Sequence, residues 1–214
     1  LNEGRPRLIR SIEPETKAVI QLYLPGNYGA DALADVLTGE VNPSGKLPYT
    51  YPKFEHGLIT YDHKPSQNIE GKMEGAYDYG AQTSVQYPFG FGLSYTTFEY
   101  TNLAVDKKEF KSGDSIQISI DVKNTGNVAG KESVLLFSSD LVASVTPDVR
   151  RLRAFDKVML NPGETKTVKL KLAANDLAFV NELGKWTLEA GDFRLQAGNL
   201  TDNIKCMATK TWFT

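Results

Sequence analysis

The sequence predicts a mixed fold, in which the C-terminal piece of an α/β sandwich domain precedes an all-β immunoglobulin- or fibronectin-III-like sandwich. Two observations carry this prediction. Residues 18–37 contain a continuous apolar run and then a segment with helical periodicity, which is the order of elements in a parallel α/β unit. Residues 115–197 instead contain short alternating segments between turn signals, which is typical of antiparallel sandwiches.

The N-terminal elements are predicted from residue pattern. The run Ala18–Leu24 is almost entirely apolar and favours a strand buried on both faces of a parallel sheet. A helix follows, with Asn27 as its predicted cap and Gly39 as its stop. Its apolar residues recur at helical spacing: Ala30, Leu33, Ala34 and Leu37. One such unit cannot bury itself, so we expect residues 1–52 to be the end of an α/β domain whose other strands lie upstream.

A long connection follows, predicted over residues 53–91. It shows neither helical nor strand periodicity, and irregular segments of this length tend to be functional or disordered. The connection closes with Pro88, Gly90 and Gly92 spaced two apart between aromatic residues. A fixed φ at proline and two unencumbered glycines predict a tight path that joins two packed bodies. The alternative is a Gly/Pro turn inside one domain. The sandwich is therefore expected to cover residues 92–214.

The sandwich strands are predicted from strict alternation. Ser115–Lys123 places four aliphatic side chains on one face, as a strand that covers a core does. The same alternation recurs further along the chain, at residues 167–172, 186–188 and 193–197. Trp186 is expected to contribute its ring to the core. A local basic patch is interpreted as a solvated face or an inter-domain salt-bridge site; its members are Arg150, Arg151, Arg153 and Lys157.

Composition limits the classes of function. The chain has 214 residues, of which 41% are hydrophobic and 23% are charged, an ordinary globular composition. A net charge of −2 gives no general attraction to nucleic acid or anionic membranes, so neither is expected as a partner. Cys206 is the single cysteine, which excludes an internal disulfide and a cysteine metal cluster. No metal and no cofactor are expected, and composition leaves the compartment undetermined.

The loop offers a set of residues suited to a polar ligand. Hydroxyls, an imidazole and flat aromatic faces are groups that bind sugars and similar molecules. The loop residues best able to do so are Tyr61, His63, Lys64, Tyr77 and Tyr79. The competing interpretation is that these residues only hold the loop in place, since long loops also need anchors.

Two catalytic interpretations of the loop are weaker. Glu70, Glu74 and Asp78 are spaced four apart, but the glycines between them argue against a helix that would align a carboxylate pair. The Asp62–His63 pair suggests a triad or a metal site. However, no serine or cysteine lies in a nucleophile elbow, and the spacing of His63 from His56 matches no standard metal motif.

Several segments resemble the C-terminal part of glycoside hydrolase family 3, the family of β-glucosidases and β-xylosidases. The tripeptide GRP at residues 4–6, the block LPGNYGADALADVLTGEVNPSGKLPYTYP at 24–52 and the block YPFGFGLSYTTF at 87–98 are similar to that family in content and order. Residues 152–168 and 184–198 resemble its fibronectin-III-like domain. One departure is Ala30, where the family often has a second glycine.

The resemblance implies retaining hydrolysis of terminal β-linked sugars by an aspartate nucleophile and a glutamic acid. In the family's domain order both groups precede this chain, so no catalytic residue is assigned here. The resemblance implies a role in structural support and in bordering the active site. The expected partners are the N-terminal catalytic portion of the same enzyme and a β-glucoside or oligosaccharide substrate. The resemblance also favours a periplasmic or secreted location. It does not decide whether the enzyme is a homodimer.

The alternative function is a non-catalytic carbohydrate-binding or adhesion module, because immunoglobulin-like folds host many unrelated binding roles. Residues 1–52 distinguish the two hypotheses. A binding module has no use for a half-sheet that exposes an apolar strand and an amphipathic helix, whereas a piece of a larger enzyme does.

Overall fold

The computed structural model describes residues 1–55, 57, 59–65 and 84–213. The chain divides into two compact units, one formed by Leu1–Tyr61 with Pro65–Leu93 and the other by Asp62–Lys64 with Ser94–Thr214. We call these the N-terminal unit and the sandwich unit. The domain boundaries predicted at residues 52 and 92 stay predictions.

The N-terminal unit contains little regular structure in its described residues. A short 3-10 turn covers Glu13–Glu15, and helix α1 covers Gly29–Thr38. Strand β1, Tyr51–Pro52, pairs antiparallel with strand β2, Val85–Tyr87. The mixed class predicted from the sequence is confirmed: this unit carries the helix, and the sandwich unit is built of strands.

The segment Ala18–Leu24 does not form a strand and bends at Tyr23, whose φ is 56°, but residues 20–22 make the hydrogen bonds of a parallel pair. Leu1 N donates to Ile20 O at 2.6 Å, and Leu22 N donates to Leu1 O at 2.8 Å, which is the slanted pattern of a parallel ladder. The strand predicted over this run is therefore wrong, whereas its exposure agrees with the expectation that one α/β unit cannot bury itself. Leu24 is 77% exposed.

The N-cap of helix α1 lies one residue later than predicted. Tyr28 occupies the N-cap position and makes no side-chain capping bond, so the prediction of Asn27 is wrong. The predicted stop is confirmed: Gly39 adopts a left-handed φ of 84°, which glycine adopts at low cost. Leu37 on the apolar stripe is 65% exposed, so the described residues leave this stripe largely uncovered.

The Pro88–Gly92 turn requires glycine for close approach. Leu47 N donates to Phe91 O and Gly90 N to Leu47 O, both at 2.8 Å. A Cβ at Gly92 would lie 2.2 Å from Gly45 O, a distance that no side chain tolerates. The tight path predicted for these glycines is therefore confirmed within the N-terminal unit.

The sandwich unit consists of eleven described strands. In chain order these are β3 Phe98–Val105, β4 Glu109–Phe110, β5 Ser115–Asn124, β6 Gly130–Asp140, β7 Arg151–Leu160, β8 Thr165–Ala173, β9 Phe179–Val180, β10 Trp186–Leu188, β11 Gly191–Ala197, β12 Leu200–Cys206 and β13 Lys210–Trp212. They form a five-stranded sheet in the order β4-β12-β11-β6-β7 and two three-stranded sheets, β3-β5-β8 and β13-β10-β9. All of the alternating segments singled out in the sequence lie on strands.

Alternation places the core between the sheets. The even-numbered residues of β5 from Ile116 to Val122 are at most 1% exposed, and the facing side chains of β6 and β11 are similarly buried. Trp186 is 37% exposed, whereas Leu188 on the same strand is fully buried. The expected core role of the Trp186 ring is wrong, because the ring lies at the end of the strand where the core stops.

Asn124 is the buried polar centre of the sandwich unit. Its Nδ2 donates to Val128 O at 2.8 Å and to Leu160 O at 3.0 Å. Its Oδ1 accepts from Thr96 Oγ1 at 2.6 Å and from Gly126 N at 3.0 Å. Because the side chain is fully buried, these bonds replace every water contact that the amide loses on folding.

Replacing Asn124 by alanine is expected to destabilise the protein by about 3 kcal/mol, because several buried donors and acceptors lose their partner at once. Denaturant unfolding of the two chains measures this difference. Asn203→Ala, on an exposed position of β12, is the matched control and should stay within about 0.5 kcal/mol of the unmodified chain. Equal effects of both substitutions would contradict the role of Asn124.

Candidate functional site

Three of the five predicted ligand-contacting residues lie in the described part of the chain. In the N-terminal unit, the Tyr61 ring stacks on Phe89 with 4.2 Å between centroids. His63 and Lys64 belong to the sandwich unit. Tyr77 and Tyr79 lie outside the described residues, as do His56 and the predicted carboxylate series Glu70, Glu74 and Asp78. The structure thus places His63 and Lys64 side by side and Tyr61 against another aromatic ring.

The tripeptide Asp62–Lys64 lies against the loop that connects β6 and β7. Val149 N donates to His63 O at 2.9 Å. The Lys64 ammonium donates to Thr146 O at 2.7 Å and pairs with Asp148 Oδ1 at 2.7 Å. In this geometry the Lys64 charge is already engaged by the protein, which favours an anchoring role for that side chain.

The basic patch contributes to the same region. Arg151 Nε pairs with Asp148 Oδ2 at 2.6 Å, and Arg151 Nη2 lies 3.9 Å from Asp62 Oδ2. The Arg150 guanidinium lies 4.6 Å from the centroid of the Phe137 ring, a cation–π contact. The cations predicted to form a solvated face are therefore partly committed to contacts inside the sandwich unit.

Side-chain hydrogen bonds hold the β6–β7 loop in place, and two of the acceptors are carboxylates. Ser144 N and Ser144 Oγ donate to Glu189 at 2.8 and 2.5 Å, and Ser139 Oγ donates to Val149 O at 2.7 Å. At the start of the loop, Asp140 Oδ1 accepts from Val142 N at 3.3 Å. These bonds give the tripeptide a fixed surface on which to lie.

Asp140 is the carboxyl group of this region that burial perturbs. Burial raises the pKa of Asp140 to about 6, and the nearby Glu189 charge adds to the rise, while Val142 N–H and Arg153 oppose it. A raised carboxyl pKa is a feature of catalytic acids. Here Asp140 has a structural role, because it accepts a loop amide and the neighbouring Glu189 accepts from Ser144.

A tyrosine cluster in the N-terminal unit was not predicted from the sequence. Tyr51 is almost fully buried, and its hydroxyl lies 2.7 Å from Arg7 O and 3.1 Å from Glu3 Oε1. Burial, assisted by the Glu3 charge, raises the pKa of Tyr51 to about 12. Tyr87 Oη donates to Glu13 Oε1 at 3.0 Å. The alternation of residues 47–52 is the signal that could have identified Tyr51 as a neutral, packed hydrogen-bond donor.

An open depression of about 470 Å³ lies beside this cluster. It is lined by Asn2, Glu3, Gly4, Arg5 and Arg7. Within the described ranges no group of three or more histidine, cysteine, aspartate or glutamate side chains is arranged to hold a metal ion. No helix in the described part of the chain has the length and hydropathy needed to cross a membrane.

Comparison with known proteins identifies both parts of the chain. Residues 1–95 match the glycosyl hydrolase family 3 C-terminal domain, and residues 132–201 match the fibronectin type III-like domain. The chain is 40% identical to a lysosomal beta glucosidase of Dictyostelium discoideum, covering 93% of this chain and 24% of that protein. It is 34% identical to a beta-xylosidase of Formosa agariphila, covering 97% of this chain and 29% of that protein.

Solved structures agree with this result. A β-glucosidase from Erythrobacter marinus superposes with a TM-score of 0.88 at 31% identity, over 96% of this chain and 27% of that one. The β-glucosidase of Listeria innocua in complex with glucose gives a TM-score of 0.85 at 29% identity, over 96% of this chain and 30% of that one.

The two matched parts, an α/β piece followed by a fibronectin-III-like sandwich, occur together in longer relatives that are β-glucosidases and β-xylosidases. The chain belongs to glycoside hydrolase family 3, whose C-terminal region it matches over both domains. It spans about a quarter of the length of the curated relatives it matches. The match over residues 1–95 favours this assignment over a free-standing binding module.

Replacing Asp140 by asparagine is expected to stabilise the protein at pH 7 and to have little effect near pH 4. The folded state binds the Asp140 proton more tightly than the unfolded state, because its pKa rises from 3.8 to about 6. Stability therefore falls as pH increases through this window. Partial exposure screens the group, so we expect a gain of about 1 kcal/mol at pH 7.

Thermal and denaturant unfolding across pH 4–8 measures this effect. Asparagine keeps a side-chain oxygen that can accept from Val142 N and removes only the titration. Asp192→Asn, at an exposed position of β11, is the control. A stability difference between Asp140→Asn and the unmodified chain that does not change with pH would contradict the assignment.

Proposed function

We propose that this chain is the structural C-terminal part of a retaining β-glucosidase-like enzyme that hydrolyses terminal β-linked sugars. The observation that carries the proposal is the match of both domains to family 3 β-glucosidases of about four times the length. The nucleophile and the acid/base are assigned to the N-terminal portion of the parent enzyme, by the domain order of the family. A β-xyloside is the second substrate to test, because a β-xylosidase is among the relatives.

The exposed apolar side chains of the N-terminal unit support a role within a larger body. Leu24, Tyr28 and Leu37 are all more than half exposed, and contiguous exposed apolar surface marks a contact region. We assign these side chains to packing against the remaining strands and helices of the parent α/β domain. We also propose that the fibronectin-III-like domain begins near Gly92 and folds around its own core.

Expressed alone, the chain is expected not to hydrolyse p-nitrophenyl β-glucoside or β-xyloside, because both carboxylates that divide the reaction into two steps are assigned elsewhere. The measurement is release of nitrophenol by purified material of verified mass. Co-folding with the N-terminal portion should restore activity. Hydrolysis by the isolated chain would overturn the proposal.

We further propose that the loop contributes sugar contacts through Tyr61, His63, Tyr77 and Tyr79, whereas Lys64 anchors the Asp62–Lys64 segment. The chemistry of these side chains supports this, since they offer hydroxyls, an imidazole and aromatic faces. In a homodimer the same residues would contact the sugar of the neighbouring subunit, and light scattering of the complete enzyme tests that arrangement.

In the complete enzyme, His63→Ala and Tyr77→Ala are expected to lower kcat/KM by about ten-fold or more while the melting temperature stays nearly constant. Ligand contacts stabilise the bound state rather than the fold. Steady-state kinetics and thermal unfolding of the same preparations provide the two readouts. His56→Ala in the same loop is the matched control, because no sugar contact is assigned to it. Normal kinetics with earlier melting would show that the loop residues only pack.

A further inference from the structure

The Asp148 carboxylate is shared between two cations. Its Oδ1 pairs with Lys64 Nζ at 2.7 Å and its Oδ2 pairs with Arg151 Nε at 2.6 Å. The Asp148 side chain is 18% exposed, so much of its hydration has been exchanged for these contacts. Asp62 lies 3.9 Å from Arg151. Two positive and two negative groups therefore alternate along one chain of contacts, and their charges cancel.

The backbone between the charged side chains is fixed as well. His63 lies between Asp62 and Lys64, and its carbonyl accepts from Val149 N at 2.9 Å. The Lys64 ammonium also donates to Thr146 O. The His63 carbonyl and the Lys64 ammonium thus contact the β6–β7 loop, and Asp62 contacts Arg151 at the start of β7.

This arrangement differs from an isolated surface ion pair, which contributes about 0–1 kcal/mol. Two of the three ion pairs, Lys64–Asp148 and Asp62–Arg151, involve the same tripeptide, and the Arg151–Asp148 pair links them. The backbone bonds add directional contacts to the charge. Complementary charges also fix the register of one segment on another. A single carboxylate that accepts from both Lys64 and Arg151 is the centre on which these contacts depend.

We propose that Asp148 is a positioning residue, which holds Asp62–Lys64 on the β6–β7 loop and thereby presents the His63 side chain for sugar contact. The inference rests on the proposed role of His63. A side chain carried by a fixed backbone loses less conformational freedom when ligand binds, so its contact contributes more to affinity. Loss of the Asp148 charge releases the tripeptide and weakens the contribution of His63 without removing the imidazole.

The test uses the complete enzyme with Asp148→Asn, which keeps the shape of the side chain and removes its charge. Hydrogen exchange of the Val149 amide should accelerate by about ten-fold or more, because its acceptor His63 O moves away. KM for p-nitrophenyl β-glucoside should rise by about three- to ten-fold while kcat changes by less than about two-fold. The matched control is Asp202→Asn, which removes the ion pair of Lys108 with Asp202 elsewhere on the sandwich.

A double-mutant cycle decides whether Asp148 acts through His63. In a His63→Ala background, Asp148→Asn should change KM by less than about two-fold, because coupled residues are non-additive. Unchanged Val149 exchange, unchanged KM in the single variant, or equal effects in both backgrounds would each overturn the positioning role. The proposed function fails separately: an unmodified enzyme inactive on both aryl glycosides refutes it, whereas an active enzyme with unaltered exchange refutes only the role of Asp148.

Discussion

The fully satisfied amide of Asn124 is the constraint on which the sandwich depends. Besides its four side-chain bonds, Asn124 N donates to Glu164 O at 2.9 Å, and its carbonyl accepts from Gly163 N at 3.0 Å. One residue thus connects the end of β5 with the turn before β8 and with the first residues of the sandwich unit. A Cβ at Gly126 would lie 2.3 Å from Thr96 Oγ1, so the same site requires glycine two positions later. Polar groups buried in this way specify one arrangement of strands, because any other arrangement leaves them unpaired.

The strands of the sandwich could be predicted because the information is local. Each residue on β5 has its inward or outward direction fixed by its place in the alternation, and the facing sheet lies within the same chain. The N-terminal unit shows the limit of that reasoning. The apolar pattern of Ala18–Leu24 and α1 identifies faces that require partners but does not supply them, which is why Leu24 and Leu37 are exposed. The prediction for Trp186 was wrong for a related reason. Alternation shows on which face of a strand a side chain lies, but it does not show where the core ends.

The candidate site could be predicted only in part. Residue chemistry drew attention to His63 and Lys64, but their contacts are with Thr146, Asp148 and Val149, about 80 positions further along the chain. No periodicity relates two such segments. The basic patch was visible in the sequence. However, the contact of Arg151 with Asp148 depends on the conformation of the β6–β7 loop where it ends. The tyrosine cluster around Tyr51 was missed because the acceptors of the Tyr51 and Tyr87 hydroxyls, Arg7 O and Glu13, lie 44 and 74 positions away in the chain.

The contacts of Asn124 and those of Asp148 stabilise the sandwich unit in different ways. This difference allows the tripeptide Asp62–Lys64 to detach locally while the rest of the fold persists. The bonds of Asn124 are neutral and buried, so salt and pH in the physiological range leave them unchanged. The contacts of Asp148 involve charges whose cations are 39% and 53% exposed, and salt screens charges that solvent reaches. Local opening requires only the free energy of the contacts that break. Asp62–Lys64 can therefore leave the β6–β7 loop without unfolding β5, β6 or β7, and its detachment is expected to become easier as ionic strength rises.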